Sequence, residues 1–164
     1  VTGIQITGID KDDKEALIAE LPDGVTTVIH RGVNSLIACV GKGKCKNGQM
    51  ETAELADYIE RKHYGRKTSH KCKIGISGCG RNCPDSMVKD IAFIGTSQGF
   101  MLAVGGNTGM RPEAGKILMR KLSVEQAKKA ADILIDWYAE NGEPKERMGK
   151  LLERLGNPLE NKTL

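Results

Sequence analysis

Four cysteines in two glycine-rich pairs constrain this 164-residue chain more than any other feature. Cys39 and Cys45 form a C-x5-C pair, Cys79 and Cys83 a C-x3-C pair, and 33 residues separate the two pairs. Gly41 and Gly43 lie inside the first pair, while Gly78 and Gly80 flank Cys79. A zinc ion is usually gripped through two-residue spacers, because a short spacer wraps a small tetrahedral centre. A cubane cluster presents its iron corners farther apart, so longer spacers suit it better. Glycine also lets backbone amides approach inorganic sulfide and donate hydrogen bonds that tune its potential. The fold must therefore carry two loops to one shared metal or cluster, with iron–sulfur favoured over zinc. Four unrelated thiols would be the bland alternative, but it fits poorly with two glycine-rich loops that each follow a strand. Cys72 stands apart: on a strand between Lys71 and Lys73 it points away from both, as a core cysteine does.

Around these loops the chain reads as one domain of mixed helices and strands. It is 39% hydrophobic and 28% charged, ordinary for a globular protein, and its few aromatics make the core mostly aliphatic. Alternation over 2–9 and 25–29 predicts strands on either side of a helix over about 11–21, capped by Asp10, with Ala16, Leu17, Ile18 and Leu21 facing inward. Further expectations are a helix over 51–64, a strand over 71–77, a hairpin from 91–94 and 100–104, and a loop at 105–109. Ser123 and Gln126 make a capping box for a helix over 124–140, and a last helix is expected over 145–155.

The formal charge of +4 is not gathered into one basic run. Lys42, Lys44 and Lys46 surround the first cysteine pair, and Lys71, Lys73 and Arg81 the second, so an anionic cofactor or substrate fits better than nucleic acid. No apolar run approaches the roughly 18–20 residues of a membrane span. The absence of a secretory signal and of a dense cysteine array points to a reducing, cytoplasmic setting.

The segment Lys73-Ile-Gly-Ile-Ser-Gly-Cys-Gly-Arg-Asn-Cys83, followed by Asp90-Ile-Ala-Phe-Ile-Gly95, resembles the cluster-binding signature of sirohaem-dependent sulfite and nitrite reductases. Ala38-Cys-Val-Gly-Lys-Gly-Lys-Cys-Lys-Asn-Gly48 is similar to that family's first cysteine loop, and Gly105-Gly-Asn-Thr-Gly-Met-Arg111 to a later loop of the same enzymes. The resemblance runs over about residues 2–156 and implies an α+β, nitrite/sulfite reductase haemoprotein-like domain. It divides the chain into a partial ferredoxin-like segment (1–32), a 4Fe-4S and sirohaem-binding domain (33–156) and a loose tail (157–164). It implies that Cys39, Cys45, Cys79 and Cys83 hold a 4Fe-4S cluster, with Cys83 also bridging to the sirohaem iron. Arg81, Asn82, Asn107, Thr108 and Arg111 fall in loops that resemble sirohaem-contacting ones, and sirohaem's many carboxylates need such donors. Asn107 can alternatively be read as a turn residue and Arg111 as a surface ion-pair partner. Lys71 and Lys73 share a strand face by period two and resemble a substrate-binding Lys-x-Lys pair. Arg31, beside His30, stands roughly where the family has a substrate arginine. For these four the alternative is a solvated basic rim.

The resemblance implies an oxidoreductase module that passes electrons through the cluster to a haem-bound sulfite or nitrite. Enzymes of this family contain two related halves, and the chain reads as one half, either a fragment or a subunit that pairs with itself or with a partner half. Without a second ferredoxin motif or a nucleotide fingerprint, a separate electron donor is expected. The competing classes are a non-catalytic 4Fe-4S electron-transfer subunit and a zinc domain whose basic loops bind nucleic acid.

Overall fold

The computed structural model describes residues 7–21, 32–160, 162 and 164. Three parallel strands, the last of which opens an antiparallel meander, make one five-stranded sheet in the order β1 (Gly32–Ala38), β2 (Lys71–Ser77), β3 (Ile91–Thr96), β4 (Gly99–Val104) and β5 (Lys116–Leu122). β1, β2 and β3 run parallel, and β3, β4 and β5 alternate in direction. The helices are α1 (Lys14–Ala19), α2 (Ala53–His63), α3 (Val124–Asn141) and α4 (Met148–Leu155). The α+β class expected from the sequence is the class observed.

Strand alternation decides which residues meet the helices. Cys72, Ile74 and Ile76 of β2, Ile91 and Phe93 of β3, and Phe100, Leu102 and Val104 of β4 join one core with Leu55 and Ile59 of α2 and Leu134 and Ile135 of α3. Phe93 and Phe100 meet edge to face, with ring centroids 6.3 Å apart. Cys72 is completely buried there, as a core cysteine, and burial pushes its thiol pKa up. The opposite face of β2 carries Lys71, Lys73, Gly75 and Ser77, and a short 3-10 turn (Ser86–Val88) packs against it. A Cβ at Gly75 would come within 2.7 Å of the Ser86 backbone, so glycine is what lets the turn seat.

The sequence boundaries hold closely for α2, β2, the β3–β4 hairpin and α3. Ser123 and Gln126 form the expected capping box at the start of α3. Two expectations change. In the segment expected as a loose tail, Leu159 is 3% exposed within the core and the Leu164 carbonyl accepts from Gln126. The inner side foreseen for the first helix is not buried: none of its residues is, and Ile18 is 38% exposed. Residues 7–9 carry no strand pairing, and the rest of the expected flanking strands, with His30 and Arg31, lies outside the described residues. β5 went unforeseen, because Lys-Ile-Leu-Met-Arg-Lys-Leu does not alternate and its pairing with β4 shifts register twice.

α2 and α3 are joined through Asp132. Its Oδ2 accepts from the Tyr58 hydroxyl and the Lys62 ammonium, each at 2.7 Å, and its Oδ1 lies 2.6 Å from His63 Nε2. Burial pushes this carboxylate's pKa up, but the bonds from Lys62, His63 and Tyr58 outweigh that and hold it below its ordinary value of 3.8. A lowered folded-state pKa contributes stability that is present above 3.8 and is lost as pH falls through the folded value. Asp132→Asn should cost about 1–3 kcal/mol at neutral pH and flatten the acid limb of a denaturation series, read by circular dichroism.

Candidate metal centre

β1 and β2 end side by side, so the segments leaving them emerge together at one edge of the sheet. Cys39 comes directly after Ala38, and its N–H still donates to Ile76 O at 3.0 Å, one step beyond the ladder. Cys79 comes after Ser77 across a single residue, Gly78. The crevice outside the carboxyl ends of adjacent parallel strands is the usual place for a ligand in such sheets.

The two loops are stitched to each other through Gly78. Its carbonyl accepts from Gln49 N–H at 2.8 Å and Met50 N–H at 2.9 Å. Its N–H donates to Cys39 Sγ at 3.0 Å. Within the first loop, Cys45 N–H reaches Gly41 O at 3.0 Å and Lys42 N–H reaches Met50 O at 2.9 Å. Thr52, at the cap position of α2, does not cap with its side chain; its hydroxyl donates to Cys39 O at 2.5 Å. Glu51 Oε1 serves the helix start instead, accepting from Thr52 and Ala53 N–H. Backbone closeness makes this possible: a Cβ at Gly78 would lie 2.7 Å from Gly41 Cα, and one at Gly95 would strike the Gly78 carbonyl oxygen.

All four thiols are free of disulfides; Cys79 is buried, Cys39 and Cys45 are half-buried, and Cys83 is exposed. Among the described residues no group of three or more His, Cys, Asp and Glu is gathered to hold a metal ion. The fit to an iron–sulfur cluster rests instead on the donor set and on the loops: four thiols on two mutually bonded loops, one sulfur already accepting a backbone N–H. An open depression of about 410 Å³ lies between the loops, lined by Lys46, Asn47, Gly48, Gln49, Cys79, Gly80 and Arg81.

The other candidate residues fall in three places. Arg81 is exposed beside Cys79. Asn82, at φ 54°, has its side-chain oxygen occupied inside the loop, where it accepts from Met87 N–H at 3.3 Å and Ser77 Oγ at 3.4 Å. Asn107 and Glu113 pair through two backbone bonds of 2.9 Å, closing a loop that holds Thr108 and Arg111 out in solvent. Asn107 also accepts from Gly109 N–H and does not adopt positive φ. Lys71 and Lys73 share the helix-free face of β2 but stand at its start, with Lys73 roughly 13 Å of strand upstream of Ser77.

Sequence reading missed what holds that end of the strand. Asp90 is fully buried; its Oδ1 accepts from Arg147 Nη2 at 2.6 Å and Nε at 3.1 Å, and its Oδ2 from Lys73 N–H at 2.9 Å. Burial pushes the Asp90 carboxyl pKa up, against Arg147 and Lys73. Burial, and after it the Lys71, Lys89 and Arg147 charges, holds the Lys73 ammonium pKa below its ordinary value. The available signal was a lone aspartate directly before an apolar strand.

Residues 30–158 match the family described as the nitrite and sulphite reductase 4Fe-4S domain. The chain is 31% identical over 153 residues to the assimilatory-type sulfite reductase of Nitratidesulfovibrio vulgaris, covering 93% of this chain and 70% of that protein. It is also 31% identical over 153 residues to a nitrite reductase (NAD(P)H) of Bacillus subtilis, of which it spans only 19%. In fold it is similar to dissimilatory sulfite reductase I, with a TM-score of 0.77 at 13% identity, covering 93% of this chain and 58% of that one. Mycobacterium tuberculosis NirA superposes with a TM-score of 0.69 at 18% identity, over 80% of this chain and 26% of that one.

Gly78→Ala should push the loops apart and lower iron and labile sulfide bound after anaerobic reconstitution. Gly80→Ala, whose Cβ meets nothing within 4 Å, should bind as much as the wild type.

Proposed function

Because this chain belongs to the nitrite and sulphite reductase 4Fe-4S domain family, we propose that it is the cluster- and sirohaem-holding module of an enzyme that reduces sulfite or nitrite. The observation that carries the reading is the pair of cysteine loops joined at Gly78, with a cationic strand face leading up to them. Cys39, Cys45, Cys79 and Cys83 hold the 4Fe-4S cluster. Cys83, the exposed member of the four, is the thiolate assigned to the shared edge with sirohaem. Arg81, Asn107, Thr108 and Arg111 supply donors for sirohaem carboxylates, and Asn82 contributes only the amide hydrogens its loop leaves over. When bound, the coupled cofactors supply electrons singly to a reaction that needs several.

The chain's own residues attract the oxyanion and supply its protons. Lys71 and Lys73 place two ammonium groups on one strand face, where they favour anion binding and the charge that builds up during reduction. The lowered pKa of Lys73 makes its Nζ a readier proton donor than an ordinary lysine. A separate protein supplies the electrons, and a second half-domain or a second copy of this chain completes the enzyme.

Viologen-driven reduction of sulfite and of nitrite by the reconstituted protein, with visible spectra recorded alongside, tests this reading. Lys73→Ala should lower kcat/KM for the preferred anion about 100-fold with iron and sirohaem contents unchanged. Loss of sirohaem from that variant would reassign the lysine to cofactor binding. A fully loaded protein that reduces neither anion, even with its partner half supplied, would make the chain an electron-transfer module. Colourless protein that retains zinc would refute both.

A further inference from the structure

Two half-buried cations of this chain are matched by carboxylates. Lys128 meets Glu54 and Glu125, each at 2.7 Å, and Arg147 meets Asp90 at 2.6 Å. Lys71, Lys73 and Lys89 are built differently. All three are half-buried, and among the described residues none of them makes an ion pair. Drawing an ammonium group partly out of water without a counter-charge is unfavourable. Three of them at one place call for an anion from outside the chain.

The fold brings the three together at the start of β2, away from the cysteines. Lys71 and Lys73 share one face of that strand. Lys73 N–H donates to Asp90 Oδ2 at 2.9 Å across the β2–β3 pair, and Lys89 comes one residue before that contact. The loop after β4 packs directly against the Lys89 backbone, since a Cβ at Gly106 would lie 2.6 Å from the Lys89 carbonyl oxygen. The charges of Lys71, Lys89 and Arg147 all act on the Lys73 ammonium and, after burial, lower its pKa. Asp90 is the carboxylate whose charge reaches Lys73, and Arg147 on its Oδ1 offsets that charge. What remains uncompensated is the charge of three lysines.

Such a site sorts anions by charge. Coulomb energy grows with the product of the charges, so each lysine attracts a doubly charged anion about twice as strongly as a singly charged one at the same distance. Fully ionised sulfite is a dianion and nitrite a monoanion. We propose that Lys89 completes a three-lysine anion site with Lys71 and Lys73, and that this site selects dianionic sulfite over nitrite. The inference rests on the reading of Lys71 and Lys73 as the oxyanion-binding pair, and adds to it a third cation and a choice between the two anions.

The test titrates the full chain, after anaerobic reconstitution, with sulfite and with nitrite at mildly alkaline pH, where sulfite is the dianion. Calorimetry reads binding without turnover. Wild type should bind sulfite more tightly than nitrite. Lys89→Met, which keeps the apolar stem, should weaken nitrite about threefold and sulfite about tenfold, because doubling the lost energy squares the factor. Iron and sirohaem contents should stay as in the wild type. Lys89→Arg should restore most of the preference, and Lys129→Ala, at an exposed lysine of α3, should change neither affinity. Equal losses for the two anions in Lys89→Met, or no loss, would overturn the proposal. So would loss of sirohaem from that variant, which would assign the lysine to the cofactor. The two readings fail differently. If Lys71→Ala and Lys73→Ala also bind both anions as the wild type does, the oxyanion role of the strand is refuted; if they lose affinity and Lys89→Met does not, only the third lysine is.

Discussion

The peptide unit of Gly78 is the joint on which both cysteine loops depend. Its carbonyl takes two N–H groups from the first loop, and its own N–H goes to a cysteine sulfur. Backbone groups withdrawn from water must be paired, so this joint fixes the relative height of the loops through the Gly78 peptide, with the Cys39 sulfur as the one side-chain partner it uses. It forms only because Gly41, Gly78 and Gly95 approach through positions where a Cβ would collide. Because the loops are held chiefly by backbone bonds, three of the four thiols take no part in joining them, and Cys39 takes part only as an acceptor from Gly78 N–H.

The sheet then separates two tasks along one strand. The end of β2 delivers Cys79 next to Cys39, while its start presents Lys71 and Lys73 on the face away from the helices. α2 and α3 cover the other face, while on this one Lys71 and Lys73 are half-buried and the turn at Ser86–Val88 packs on Gly75 and Ser77. A single strand thus lines up thiols and cations in a fixed order.

Much of this was legible in the sequence, and the reasons differ by element. α3 announced both its ends through Ser123, Gln126 and Gly142, because capping is a local interaction. β2 and the β3–β4 hairpin could be read from residue alternation and turn residues, which are local as well. The cysteine pairs pointed to the candidate site, since their spacing and glycines limit what they can hold. Gly78's bonds, the Thr52 hydroxyl on Cys39 and the Asp90–Arg147 pair were not legible, because each joins residues far apart in the chain. Thr52 was positively misleading, a cap residue by position whose side chain is used elsewhere. Leu159 likewise lies in a segment whose composition says tail and whose packing says core.

Asp90 shows how a buried charge can order a site without cancelling it. A carboxylate withdrawn from water must be paired or it destabilises the fold. Asp90 meets that need with the Arg147 guanidinium on one oxygen and the backbone N–H of Lys73 on the other. Because it takes the lysine's backbone and not its ammonium, the strand is fixed while the side-chain charge is left in place. Among the described residues the Lys73 ammonium has no ion-pair partner, and burial with the surrounding cations lowers its pKa. A nearby carboxylate on the ammonium itself would have raised that pKa and blocked access to an anion. The chain thus keeps a fixed strand and a lysine of lowered pKa at the same position.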